Sequence, residues 1–127
     1  RGRIAAWPET FLVGELNGQI VGYAMGPVIA SPVIADEMFA DPSCGWYHNP
    51  YQSVFSLAVH PDFRGQSYGR ILLEALIEEA RRAGRQAVVL TCREEKLAYY
   101  ESFGFENRGV SQSVHGGVVW YDMVLPL

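Results

Sequence analysis

HPDFRGQSYGR, residues 60–70, reads as the end of a strand, a short turn and the first residues of a helix. Arg64, Gly65, Gly69 and Arg70 crowd into that turn. A helix N-terminus carries unpaired backbone N–H groups and roughly half a positive charge, so glycines and arginines there describe a place where an anion can approach the backbone. The plainer alternative is a strand-to-helix turn whose glycines only shape the chain and whose arginines are solvated. Neither familiar phosphate loop is present, since GxxxxGK[ST] and GxGxxG are both absent; the spacing is Arg64-x-x-Ser67-x-Gly69.

Downstream of the turn, Ile71, Leu72, Ala75, Leu76, Ala80 and Ala83 recur at helical spacing, with Glu74, Glu78, Arg81 and Arg82 turned away and Gly84 as a stop. QAVVLTC, 86–92, is the apolar run of a strand covered on both faces, and a short helix is expected from about Glu94 to Ser102, ended by Gly104. WYDMVLPL, 120–127, supplies a final strand. Upstream, QSVFSLAVH is a central strand, and Asn17-Gly18 between two apolar runs predicts a hairpin with strands at about 10–16 and 19–29. Residues 30–50 carry Pro32, Pro42, Pro50 and Gly45 without a sustained period and read as a long loop. The order β-β-loop-β-α-β-α-β-β is a mixed α/β sheet. The first residues look like the tail of a helix, so an opening strand and helix are expected to be missing.

At 127 residues the chain is read as one domain. It lacks the uninterrupted apolar stretch of about 18 or more residues that a membrane span needs. A net charge of −4 argues against a phosphate-tracking surface for nucleic acid, so any phosphate binding must be local. Cys44 and Cys92 stand apart, and three scattered histidines do not make a metal site; a reducing cytoplasm and no metal are expected.

The loop, with SLAVHPDF before it and YYESFGF about thirty residues after it, resembles the GCN5-related N-acetyltransferase (GNAT) family and its Q/R-x-x-G-x-G/A signature. SLAVHP and LTCREEKLAYYESFGF are most similar to the arylalkylamine (serotonin) N-acetyltransferase branch. The resemblance covers roughly residues 10–127 and implies a mostly antiparallel central sheet with a splayed strand pair, flanked by helices, that binds acetyl-CoA as co-substrate. Carried over, Leu57 and Val59 offer backbone groups to the pantetheine and the acetyl carbonyl, with Ala58 between them also counted as cofactor-binding. Arg64, Gly65, Gln66, Ser67, Tyr68, Gly69 and Arg70 wrap the pyrophosphate, and Tyr100 protonates the departing thiolate. Two departures stand out: Ser67 replaces a glycine, and Ser53 and Phe55 replace the two histidines thought to relay a proton from the amine.

Thioester-to-amine transfer needs a neutral amine, a site for the developing oxyanion and an acid for the thiolate. An alkylamine near the lysine reference of about 10.4 is neutral in only about one molecule in a few thousand at pH 7. His48 is the candidate to take that proton, with Ser53 positioning a water and Phe55 bordering the acceptor. Asp36, Glu37 and Asp41 could attract a cation, and Trp46, Tyr47 and Tyr51 could wall an aromatic pocket; solvated carboxylates and loop packing are the plain alternatives. Tyr100 could likewise be only a packed core tyrosine. These readings converge on direct transfer of acetyl to a small primary amine in a ternary complex, by a monomer or homodimer. A protein or peptide N-acetyltransferase and a non-catalytic acyl-CoA sensor are the alternatives.

Overall fold

The computed structural model describes residues 2–6, 11–30, 49–65, 67–111 and 117–127. Asn17 and Gly18 sit at φ 52° and 81°, the two positive values a tight hairpin turn requires, and they join β2 (Phe11–Leu16) to β3 (Gln19–Met25) in antiparallel pairing. Residues expected to be the tail of a helix form a strand instead: β1 (Gly2–Ala6) pairs antiparallel with β2 along its whole length. Five residues are too few to show a helical period, whereas hydrogen bonding to β2 is available to any sequence.

The predicted strand over 19–29 is broken at Gly26-Pro27, where β3 gives way to β4 (Val28–Ile29). The predicted central strand breaks opposite it, into β5 (Tyr51–Ser53) and β6 (Ser56–Val59). As a result β6 pairs with β3 in one sheet, ordered β1-β2-β3-β6, while β5 pairs with β4 in another. The second sheet is completed by β7 (Ala87–Cys92), β8 (Glu106–Val110) and β9 (Tyr121–Pro126) in the order β4-β5-β7-β9-β8. Among the described residues every pairing is antiparallel except β5 with β7. The β5–β7 register ends at Ser53 opposite Val89, the Val54 N–H still reaches the Val89 carbonyl at 2.9 Å, and then β6 swings away to β3. The splayed pair expected of the sheet is therefore β6 and β7.

Helix α1 (Tyr68–Arg82) lies across both sheets. Leu72, Leu73, Leu76, Ile77 and Ala80 form its buried face and share one core with Leu12 and Ala24 of the first sheet and Val88, Leu90, Cys92 and Met123 of the second. The stripe is rotated by about one residue from the expected one: Ile71 is 45% exposed and Ala83 is exposed, while Leu73 and Ile77 turn inward. Gly22 permits close packing beside this helix, because a Cβ there would meet a Leu72 methyl at 3.0 Å and the Ala58 carbonyl at less. The helix stops as predicted: Gly84 is at φ 78°, its N–H bonds Arg81 O, and Arg85 N–H bonds Ala80 O. The second helix is a single 3-10 turn at Glu94–Lys96 running into α2 (Leu97–Glu101), ended by Gly104 at φ 106°. No described helix is long and apolar enough to cross a membrane.

Candidate active site

Between β6 and α1 the chain makes a 3-10 turn at Pro61–Phe63, then Arg64 and Gly65, and enters the helix through Ser67. His60 belongs to this turn rather than to any reactive cluster, since its Nδ1 accepts from the Asp62 N–H at 3.1 Å. Gly65 is at φ 79° and Ser67 at φ 66°, so serine adopts the left-handed conformation that the family pattern assigns to glycine. The first intrahelical bond runs from Ile71 N–H to Ser67 O at 3.1 Å, and the Ser67 side chain makes no capping bond. The N–H groups of Tyr68, Gly69 and Arg70 are thus left pointing out of the helix mouth, with no acidic residue in the first turn to compete for them.

They open onto a cleft of about 240 Å³ lined by Val59, Arg64, Gly65, Ser67, Gly69 and Tyr99, among others. At Gly69 a Cβ would stand 3.6 Å from a Val59 methyl and 3.7 Å from the Tyr99 hydroxyl, so the floor of the cleft is close but not filled. Arg64 lies along this loop, its Nε donating to Val59 O at 3.2 Å. Arg70 is directed elsewhere: it donates to Ser102 Oγ at 2.7 Å, approaches Glu74 at 3.6 Å and rests over the Phe103 ring at 4.1 Å. Its side chain ties α1 to the end of α2, leaving its backbone N–H as the group it presents to the cleft.

On β6, alternation separates two sets of backbone groups. His60 N–H bonds Val21 O, which places Ala58 and Ser56 in the set facing β3 and turns the N–H and C=O of Leu57 and Val59 toward the splayed edge. The bond from Arg64 to the Val59 carbonyl is independent evidence of that orientation. Ala58, between them, turns its own N–H and C=O to the β3 ladder.

Tyr100 packs against the main core with Tyr99, Phe103 and Phe105 in an aromatic cluster at ring separations of 5.1 to 6.5 Å. Burial, reinforced by Tyr99 and Cys92, pushes its phenol up to about 12. The near match to a thiol of about 8.5 expected from an ordinary tyrosine is therefore not what this environment gives, since burial holds the phenol well above it. Cys92, at the end of β7, is buried and its thiol is pushed up to about 11, first by desolvation and then by Glu101, so it stays protonated near neutrality.

Ser53, expected to position a water, is turned into the protein. It has no exposed surface, and its Oγ and N–H both bond the Pro27 carbonyl. Gln52 Nε2 donates to Gly26 O at 2.7 Å and Ser53 O at 2.8 Å, and Asn49 Nδ2 to Val28 O at 3.1 Å, so these buried polar groups wire the bend between the sheets. Phe55 and Tyr51 pack against Ile29, Ala87, Val89 and Val124 on the face opposite α1. His48, Gln66, Asp36, Glu37, Asp41, Trp46, Tyr47, Cys44 and His115 lie outside the described residues. Sequence reasoning passed over Tyr99, which lines the cleft, and Asp122, whose enclosed Oδ1 has no hydrogen-bond partner. The YY pair could have flagged the first; nothing in YDMVL distinguishes the second.

Residues 2–105 match the family model described as Acetyltransferase (GNAT) family. An acetyltransferase from Pectobacterium atrosepticum is 30% identical over 102 residues, which are 78% of this chain and 59% of that protein. The chain thus spans about three fifths of that relative's length. Among solved structures, yncA from Salmonella typhimurium, determined with its cofactor acetyl-CoA, is 28% identical with a TM-score of 0.64, covering 92% of this chain and 64% of that one. The ribosomal-protein-S18-alanine N-acetyltransferase of Escherichia coli is 25% identical with a TM-score of 0.66, covering 91% and 67%.

Proposed function

The chain belongs to the GNAT acetyltransferase family, and on that premise we propose that it transfers an acetyl group from acetyl-CoA to a small primary amine, directly and within a ternary complex. The observation that carries this reading is the juxtaposition of the open helix mouth with the splayed edge of β6. Three N–H groups at the start of α1 suit the pyrophosphate, with Gly65, Ser67 and Arg64 around it. Leu57 and Val59 turn backbone groups toward the gap beside β7, where an extended pantetheine arm can complete a strand-like ladder. The likeness to yncA, whose structure holds acetyl-CoA, supports the same choice of co-substrate.

Tyr100 serves the departing sulfur as a hydrogen-bond donor. With its phenol at about 12 it remains neutral throughout the physiological range, and its proton moves only as negative charge builds on the sulfur. The protonated, enclosed thiol of Cys92 makes a poor nucleophile, which favours direct transfer over a covalent acyl-enzyme. Acetyl-CoA turnover measured with free amines, with and without protein, tests the proposal; release of CoA that depends on both supports it.

A second reading has its own support. The S18-alanine N-acetyltransferase acts, by its name, on an alanine of a ribosomal protein, so a peptide amino terminus is the alternative acceptor. Comparing tryptamine, phenethylamine and spermidine with short peptides at equal concentration separates the two.

A further inference from the structure

The two adjacent tyrosines of α2 face different parts of the site. Their rings meet edge to face at 5.1 Å; Tyr100 packs against the core, whereas Tyr99 is 37% exposed and lines the cleft at the mouth of α1. The Tyr99 ring is held against Phe103 at 5.2 Å, and the Ser102 hydroxyl donates to the Tyr99 carbonyl, so its direction is set by packing. Cα–Cβ bonds in a helix tilt toward the N-terminus. The place a Gly69 Cβ would occupy, 3.7 Å from the Tyr99 hydroxyl, therefore lies on the mouth side of the helix. Among the described residues nothing hydrogen-bonds that hydroxyl. Burial raises the phenol above its ordinary range, against the pull of Arg70, and Glu74 raises it further, so it keeps its proton at neutrality.

We propose that the Tyr99 hydroxyl donates a hydrogen bond to the diphosphate of CoA, gripping from α2 the group that the N–H groups of Tyr68, Gly69 and Arg70 hold from α1. This rests on the acetyl-transfer reading above and adds a side-chain donor to it. Gly69, lacking a side chain, leaves one ligand free to reach both sets of donors. The pair thereby divides the co-substrate, Tyr100 attending the sulfur and Tyr99 the diphosphate at the other end of the pantetheine arm. A bond from a neutral phenol to a charged oxygen is of the stronger kind, so it selects a thioester that carries the diphosphate over one that lacks it.

Tyr99→Phe removes one oxygen and keeps every ring contact, and because that oxygen bonds no described residue the thermal midpoint should not fall. By calorimetry the variant should bind CoA about tenfold or more weakly than the wild type, while pantetheine, which has no phosphate, binds both proteins within about twofold. At saturating acetyl-CoA, kcat should stay within about threefold, the reverse of the pattern expected for Tyr100→Phe. Phosphorus NMR reads the contact in place: the diphosphate signals of bound CoA should differ between the two proteins, and the signal of the ribose phosphate should not. Equal CoA affinity in Tyr99→Phe, an equal loss for CoA and pantetheine, or unchanged diphosphate signals overturns the assignment and leaves the acetyl-transfer reading standing. Wild-type protein that binds neither CoA nor acetyl-CoA overturns that reading, and this inference with it.

Discussion

A Cβ placed on Gly26 would land 2.8 Å from the Ser53 hydroxyl oxygen and closer still to the Ser53 carbonyl. This contact is where β3 and β4 pass the bend between β5 and β6, and it sets the angle at which β6 leaves β7. Gly26→Ala must push two strands apart through backbone, not through a flexible side chain. We expect a loss of about 1–3 kcal/mol in urea unfolding, together with weaker acetyl-CoA binding because the gap is reshaped. A variant as stable as the parent would show that the bend has slack.

The helix mouth makes two opposite predictions at neighbouring positions. Ser67 holds φ 66° with no side-chain cap bond, so Ser67→Gly relieves an unfavourable conformation and should stabilise the protein by up to about 1 kcal/mol while preserving acetyl-CoA affinity. At Gly69 a single methyl fits at ordinary contact distance from Val59 and the Tyr99 hydroxyl, whereas the added branches of valine would crowd those two cleft-lining groups. Gly69→Ala should change affinity by less than about threefold and Gly69→Val should weaken it by about tenfold or more, read by calorimetry.

Arg70 separates side-chain from backbone roles. Its guanidinium is spent on Ser102, Glu74 and the Phe103 ring, all partly exposed contacts of modest value. Arg70→Ala should lower stability by about 1 kcal/mol yet leave acetyl-CoA affinity within about threefold, since the backbone N–H remains. A large loss of affinity would show that the side chain turns to the pyrophosphate when the ligand arrives.

Tyr100→Phe removes the donor and keeps the ring. The expected effect is a fall in kcat of about 10² to 10⁴-fold with little change in acetyl-CoA affinity. Because folding raises this phenol above its usual 10 to about 12, its contribution to stability is complete below pH 10 and declines between pH 10 and 12. The alkaline limb of a pH–stability profile should therefore flatten in Tyr100→Phe, and an unchanged limb would place the titration elsewhere.

Much of this was legible in the sequence because local chemistry decided it. Asn17-Gly18, Gly84 and Gly104 mark their turns by the positive φ they adopt, and RGQSYGR announced an open helix mouth before any geometry was known. The bend was not legible. QSVFSLAVH is uniformly strand-like, and the residues that break it act through Gly26, Pro27 and Val28, some 25 residues earlier in the chain. Ser53 is expected from the resemblance to position a water, and only its bonds to Pro27, with those of Gln52 to Gly26, show it wired into the bend. Strand β8, exposed along its whole length, likewise carries no apolar signal.

The central claim is acetyl transfer to an amine, and the most direct measurement is CoA release by the purified protein from acetyl-CoA, across free amines and short peptides, with the acetylated product identified by mass. The account predicts release that requires both protein and acceptor, fastest with tryptamine, phenethylamine or spermidine, and abolished or strongly reduced in Tyr100→Phe. Acetyl-CoA that binds at the helix mouth but is never turned over with any amine or peptide would contradict it.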